Sequence, residues 1–223
     1  MLSPDSRVYS GTMKETIKDL ETAGGGLSKP SKMPGLAYGT PAKECMIGSI
    51  LREMANTVCS SCYARKGMYV FPVVQAAQYR RLETLNNLPA WIVSMTALLA
   101  RKYAKKTEKD SVFRWHDSGD LRSVEHLSAI VQIAKNLPTI RFWLPTKEYG
   151  IVRSWDQEIP SNLVVRVSAP KIGSEIPSIL GMLASTVGTG KGFACEAYTR
   201  GGKCGDCRAG WDSKIPSVDY PLH

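Results

Sequence analysis

The chain has 223 residues, a formal net charge of +9, 43% hydrophobic and 22% charged residues. This is the make-up of an ordinary soluble globular protein, long enough for one large domain with a full core. The first ten residues lack a basic start followed by an apolar core, and the longest nearly apolar run, Ile92 to Ala100, falls far short of the ~20 residues that span a bilayer. These features argue against a secretory signal and a membrane partner and place the protein in the cytoplasm. The basic surplus favours anionic partners: nucleic acid, an anionic small molecule or an acidic protein. The one basic cluster, Arg101-Lys102 with Lys105-Lys106, reads as the solvated end of a helix, where cations suit the dipole.

Taken in chain order, Thr12-Met13-Lys14-Glu15 reads as a capping box for a short helix that Gly24-Gly25-Gly26 stops, with Met13, Ile17 and Leu20 on one face. Residues up to Thr40 are rich in Gly, Pro, Ser and Lys and read as an irregular arm. Cys45 to Cys62 forms a first cysteine region, with a helical piece from Met46 to Met54. Pro72 opens a helix to about Asn87 with Val73, Ala77 and Leu85 inward, and Pro89 opens another with a core stripe of Trp91, Met95, Leu98 and Leu99. From residue 112 the pattern becomes strand Val112–Trp115, helix Val124–Leu137, strand Ile140–Leu144, helix Tyr149–Gln157 and strand Leu163–Val167. Such alternation predicts parallel strands covered by helices. The expected architecture is a single α/β domain over 1–223: an arm (1–40), a first cysteine region (41–70), a β/α core (112–170) and a second cysteine region (193–211).

All six cysteines fall into two groups: Cys45 with the turn Cys59-Ser60-Ser61-Cys62, and Cys195 with the turn Cys204-Gly205-Asp206-Cys207. A two-residue spacer lets a tight turn aim two thiolates at one metal or cluster face. In a reducing compartment such paired turns ligate metals or act as redox centres more often than they form disulfides. A zinc ribbon would separate its two turns by only ~15 to 20 residues, whereas here a whole α/β segment intervenes, so iron and sulfur come before zinc. A [4Fe–4S] cluster needs four ligands, so one centre could draw a turn from each end of the chain, or two centres could each recruit a fourth ligand. A thioredoxin-like use of Cys59 and Cys62 is the weakest reading, because nothing before Cys59 reads as a strand.

Ligand groups in α/β folds gather at the carboxyl ends of strands. His116-Asp117-Ser118-Gly119-Asp120 follows the first core strand and is the second candidate site, for binding a ligand, acid–base work or a non-cysteine cluster ligand. The bland alternative is a core histidine and a helix-capping aspartate. Arg114, Arg141 and Arg166 each lie within an apolar strand; if Arg114 and Arg166 face inward they offer a basic interior to a carboxylate or phosphate, and otherwise they pair with acids outside. Gly188-Thr189-Gly190-Lys191-Gly192 imitates a phosphate loop, but Ser185 and Gly192 stand where that motif needs Gly and Ser or Thr.

Cys59 through Tyr69, the Arg80 to Asn86 segment, His116 to Asp120 and Lys203 through Trp211 together resemble the bacteriophage family known as gene product 88. The resemblance implies a phage-encoded iron–sulfur protein acting in the host cytoplasm. Such families are also similar to radical SAM enzymes, in which a partial (β/α) barrel holds a [4Fe–4S] cluster by three cysteines and leaves one iron for S-adenosylmethionine, with a host electron donor. The compact Cys-x3-Cys-x2-Cys spacing of those enzymes is departed from here, since Ala55 stands where its first cysteine belongs. The phage family also leads one to expect a further cysteine where this chain has Gly210.

Overall fold

A computed structural model describes residues 15–175 and 182–222. Its centre is a parallel sheet of seven strands: β1 (Leu36–Tyr38), β2 (Val112–Trp115), β3 (Arg141–Thr146), β4 (Leu163–Ser168), β5 (Leu183–Val187), β6 (Phe193–Ala194) and β7 (Ser217–Tyr220). Their order is β1-β2-β3-β4-β5-β7-β6, with every neighbouring pair parallel. Five consecutive strands therefore lie side by side with all their carboxyl ends on one rim. The α/β expectation is met as a parallel sheet with helices.

The helices are α1 (Ile17–Ala23), α2 (Met46–Arg52), α3 (Pro72–Thr84), α4 (Leu88–Tyr103), α5 (Val124–Asn136) and α6 (Tyr149–Arg153). Local chemistry sets their ends. Thr16 and Asp19 form the capping box of α1, and Gly24 ends it; the box expected at Thr12 to Glu15 begins outside the described residues. Asn87 accepts from the Ala90 N–H to start α4, so that helix begins one residue before Pro89. In α5, Ser123 accepts from the His126 N–H, and Leu127, Ile130, Val131 and Ala134 are buried as their spacing demands.

Alternation along the strands sorts side chains to two faces. Phe113, Trp115, Phe142, Leu144, Val165 and Val167 join Tyr38 and the buried stripe of α4 in the main core beneath α4 and α5. The opposite face carries Val112 and Trp143, covered by Trp211 with Met33 and Tyr220 at its margin. The sequence reading missed β1, inside the arm, and β5 to β7. Val73, expected inward, is 75% exposed in the first turn of α3. Among the described residues no helix is long and apolar enough to cross a membrane.

Candidate functional site

The first cysteine group occupies the long connection after β1. Cys45 sits immediately before α2, and Cys59 lies in a short 3-10 turn whose next residues close on it through a 3.2 Å bond from the Cys62 N–H to the Cys59 carbonyl. Fully buried Thr57 fixes the turn: its hydroxyl donates to the Leu51 and Met54 carbonyls and accepts from the Ser60 N–H. The segment is pinned to the chain after β4, with Val58 donating to the Pro170 carbonyl and Ile172 to that of Asn56. Packing then brings the distant thiol to the turn. A Cβ built on Gly48 would lie 3.6 Å from the Cys45 Sγ and 3.8 Å from the Cys59 Sγ, so both sulfurs border one point above α2.

Carboxylates share this neighbourhood. The Cys45 thiol is pushed up to about 12, first by burial and then by Asp120, Cys62, Cys59 and Glu148. Cys59 is also raised by burial, with Lys147 opposing and Cys62, Asp120 and Glu148 adding to the rise. Asp120 is locked by two backbone donors, Leu121 N–H at 2.8 Å and Lys147 N–H at 2.9 Å, so it ties the loop after β2 to the loop after β3. Glu148 accepts from the Ile47 N–H at 3.0 Å, and burial raises its carboxyl. Lys147 and Glu148 were missed in the sequence; their one signal was their place directly after a core strand.

The rest of the His116 to Asp120 loop is differently used. Gly119 has φ +83°, and a Cβ there would fall 1.9 Å from the Thr40 hydroxyl, so only glycine lets the loop lie against β1's extension. Asp117 is buried; its carboxylate accepts from Ser28 at 2.8 Å and its carbonyl from the Tyr63 hydroxyl at 2.6 Å. Tyr63 thus ties the first cysteine turn to this loop. The Ser118 carbonyl accepts from the Thr40 N–H, while its buried hydroxyl has no partner among the described residues. His116 points into the aromatic core instead of the rim. Its Nδ1 is 2.8 Å from the Tyr38 carbonyl, its buried Nε2 has no partner among the described residues, and burial lowers its basicity. Of the loop, Asp120 is the member beside the thiols.

Arg114 and Arg166 both lie on the face opposite α4 and α5, but their duties differ. All five N–H donors of Arg166 are spent on carbonyls of Gly210, Ala184, Ile215, Ala209 and Asp212. Arg166, a ligand-binding candidate from the sequence, here clamps the C-terminal segment to β4 with these five bonds. Arg114 stacks over Trp143 at 4.5 Å and donates to the Tyr63 hydroxyl at 3.3 Å, and its buried Nε has no partner among the described residues.

The second cysteine group is gathered over that face. Cys195 leads out of β6 and donates to the Asp219 carbonyl of β7 at 2.8 Å; Cys204 donates to the Lys32 carbonyl at 2.9 Å, and Cys207 closes the turn on the Cys204 carbonyl at 3.1 Å. Arg208 grips the turn through the Gly205 and Cys207 carbonyls, and Lys109 pairs with Asp206 at 2.6 Å. Burial raises the Cys204 thiol, Cys195 and Cys207 add to the rise, and Arg114 and Arg208 oppose it. The charges bearing on Cys45 and on Cys204 each include the other two cysteines of their own group. The chain thus brings its cysteines together in two threes. Gly210 cannot be replaced by the expected cysteine without disturbance, because its Cβ would lie 2.8 Å from the Trp143 ring. The glycine-rich 188–192 loop is filled from within, its Thr189 and Gly190 N–H groups donating to the Asp219 carboxylate.

All six thiols are free, and among the described residues no group of three or more His, Cys, Asp or Glu side chains is set to hold a single metal ion. No curated protein and no solved structure matches the chain. The model of one family, described as gene product 88, matches residues 10–182, which include the first cysteine group and β1 to β4 but not the second group. The chain belongs to the gene product 88 family.

Proposed function

We propose that this phage-family protein binds a [4Fe–4S] cluster through Cys45, Cys59 and Cys62, in a partial (β/α) barrel with redox or radical SAM-like chemistry. The observation that carries the reading is the meeting of three free thiols in the connection after β1, at the carboxyl rim of a parallel sheet and beside Asp120 and Glu148. The residues suit the group. Thiolates are the usual ligands of such clusters, and a cluster presents its irons at the corners of a cube, so its ligands stand wider apart than those of one ion. Three thiolates leave one iron for an exogenous ligand such as S-adenosylmethionine.

When bound, the cluster would supply an electron received from a host donor. The chain's own residues do the rest. Thr57 and the Cys62-to-Cys59 bond hold the turn; buried Glu148 and half-buried Cys45 limit the access of bulk water; Asp120, fixed by two N–H groups, would receive an ammonium or hydroxyl of the ligand. A second reading makes both cysteine groups structural staples, of iron–sulfur or zinc, in a protein that binds nucleic acid or a host regulator through its basic surface. The observation favouring it is that the second turn is gripped by Arg208 and the Lys109–Asp206 pair, with Arg114 and Arg208 among the charges acting on Cys204.

Iron and acid-labile sulfide per chain on anaerobically purified protein, with EPR of the reduced form before and after adding S-adenosylmethionine, test both readings. About four of each per loaded group and a spectrum changed by S-adenosylmethionine are expected. An unchanged spectrum turns the reading to a fully ligated or structural centre, and zinc without sulfide sinks the iron–sulfur proposal.

A further inference from the structure

Away from the sulfurs, a cleft of about 140 Å³ opens between the segment before Cys45, the turn after Cys62 and the first half of α3. Three cations line it, Lys43, Arg52 and Arg65, together with Gln75, Gln78 and Tyr79, and among the described residues no carboxylate does. The cations come from three separate elements: Lys43 from a 3-10 turn, Arg52 from the last residue of α2 and Arg65 from the turn that follows Cys62. Bringing like charges to one hollow costs free energy unless an anion offsets it. Among the described residues neither Lys43 nor Arg65 has an ion pair, and Arg52 only reaches exposed Glu53 at 3.8 Å. The nearby carboxylate of Glu44 is turned to the Tyr79 hydroxyl at 3.3 Å and is no part of the wall.

Gln78, only 4% exposed, borders the cleft, so the wall carries an amide beside the cations. The volume decides the size of the occupant. It exceeds the ~30 Å³ share of one water and lies well below the ~300–1,000 Å³ of a pocket that encloses a whole ligand, so it fits one anionic group of a larger molecule.

We infer that this cleft is a phosphate subsite, taking the phosphate group of a phosphorylated ligand, with Arg52 and Arg65 as forked donors, Lys43 as a point charge and the Gln78 amide as a neutral donor. Three cations balance a phosphate dianion better than a single carboxylate, and guanidinium forks match its oxygens in pairs. The inference stands on the cleft alone and does not require the cluster.

The test is calorimetric titration of the full chain at low salt with inorganic phosphate, a nucleoside 5′-monophosphate and a short single-stranded oligonucleotide, with acetate as the carboxylate control. At least one phosphate probe should bind, and Arg52→Gln with Arg65→Gln should weaken it tenfold or more, while Arg101→Gln at the far end of α4 leaves it unchanged. Lys43→Gln, an exposed substitution, should weaken binding in a chain whose melting curve is unaltered. Tightest binding of the monophosphate would assign a small phosphorylated ligand; affinity rising with oligonucleotide length would assign nucleic acid. Absence of binding by every phosphate probe, acetate binding as tightly as phosphate, or undiminished affinity in both the double variant and Lys43→Gln would overturn the inference.

Discussion

The charges bearing on Cys45 and Cys59 include the carboxylates of Asp120 and Glu148, whereas those bearing on Cys204 include Arg114 and Arg208. Two groups of identical residues, each built on one Cys-x-x-Cys turn, therefore stand in different electrostatic settings. In the first, an ionised Cys45 or Cys59 would add to the negative charge of Asp120 and Glu148. In the second, Arg114 and Arg208 oppose the rise that burial gives the Cys204 thiol. Equal spacing in the sequence does not make equal sites, because the neighbours that set thiol acidity come from other strands.

The sharpest way to break this comparison is to remove one thiol. Cys59→Ala or Cys62→Ala should empty the first group of iron and leave any metal of the second group in place, and Cys204→Ala should do the reverse, as read by metal analysis and absorbance. If either substitution strips all metal, the six thiols serve one centre and the two-site description fails. Next in size, Arg166→Met leaves five carbonyls without their donor and should cost about 3 kcal/mol or more, measured as a lowered urea midpoint, with the second group's metal lost before the first's. A variant as stable as the parent would show that the C-terminal segment is held by other contacts.

A smaller effect is expected at Gly210. Gly210→Cys should destabilise by about 1–3 kcal/mol through overpacking on Trp143 without raising the metal content of the second group; a gain in metal at unchanged stability would restore the fourth-ligand reading. The smallest effect is with pH in metal-free protein. The Cys45 thiol ionises near 9 when unfolded and at about 12 when folded, so both states are neutral below about 9, and above it only the unfolded state gains by losing the proton. Stability should therefore fall as pH rises from about 9 towards 12, and Cys45→Ala should flatten that fall in urea titrations. An unchanged slope would place Cys45 in a wetter setting than its burial indicates.

Some of this was legible in the chain itself. The β2-α5-β3-α6-β4 alternation and the α4 core stripe could be read because apolar periodicity is a local record of which side of an element is buried. The pairing of cysteines by two-residue spacers was equally local. β1 was not legible, since three residues within a Gly- and Pro-rich arm carry no period, and its existence rests on hydrogen bonds to β2, about 75 residues further on. The same holds for β5 to β7, short strands whose partners lie elsewhere.

The sequence by itself determined the α/β class, the presence of two thiol turns and the loop after the first core strand as a place of concentrated polar groups. Only the tertiary structure decided that Cys45 joins Cys59, that the thiols gather in two threes, that His116 turns to the core while the charges of Asp120 and Glu148 bear on Cys45, and that Arg166 is spent on five carbonyls while Arg114 keeps its Nε. The physical reason is common to all of these. Spacing along a chain fixes which side chains can share a turn or a face, whereas burial, charge and hydrogen bonding depend on groups that are brought near only when the sheet assembles.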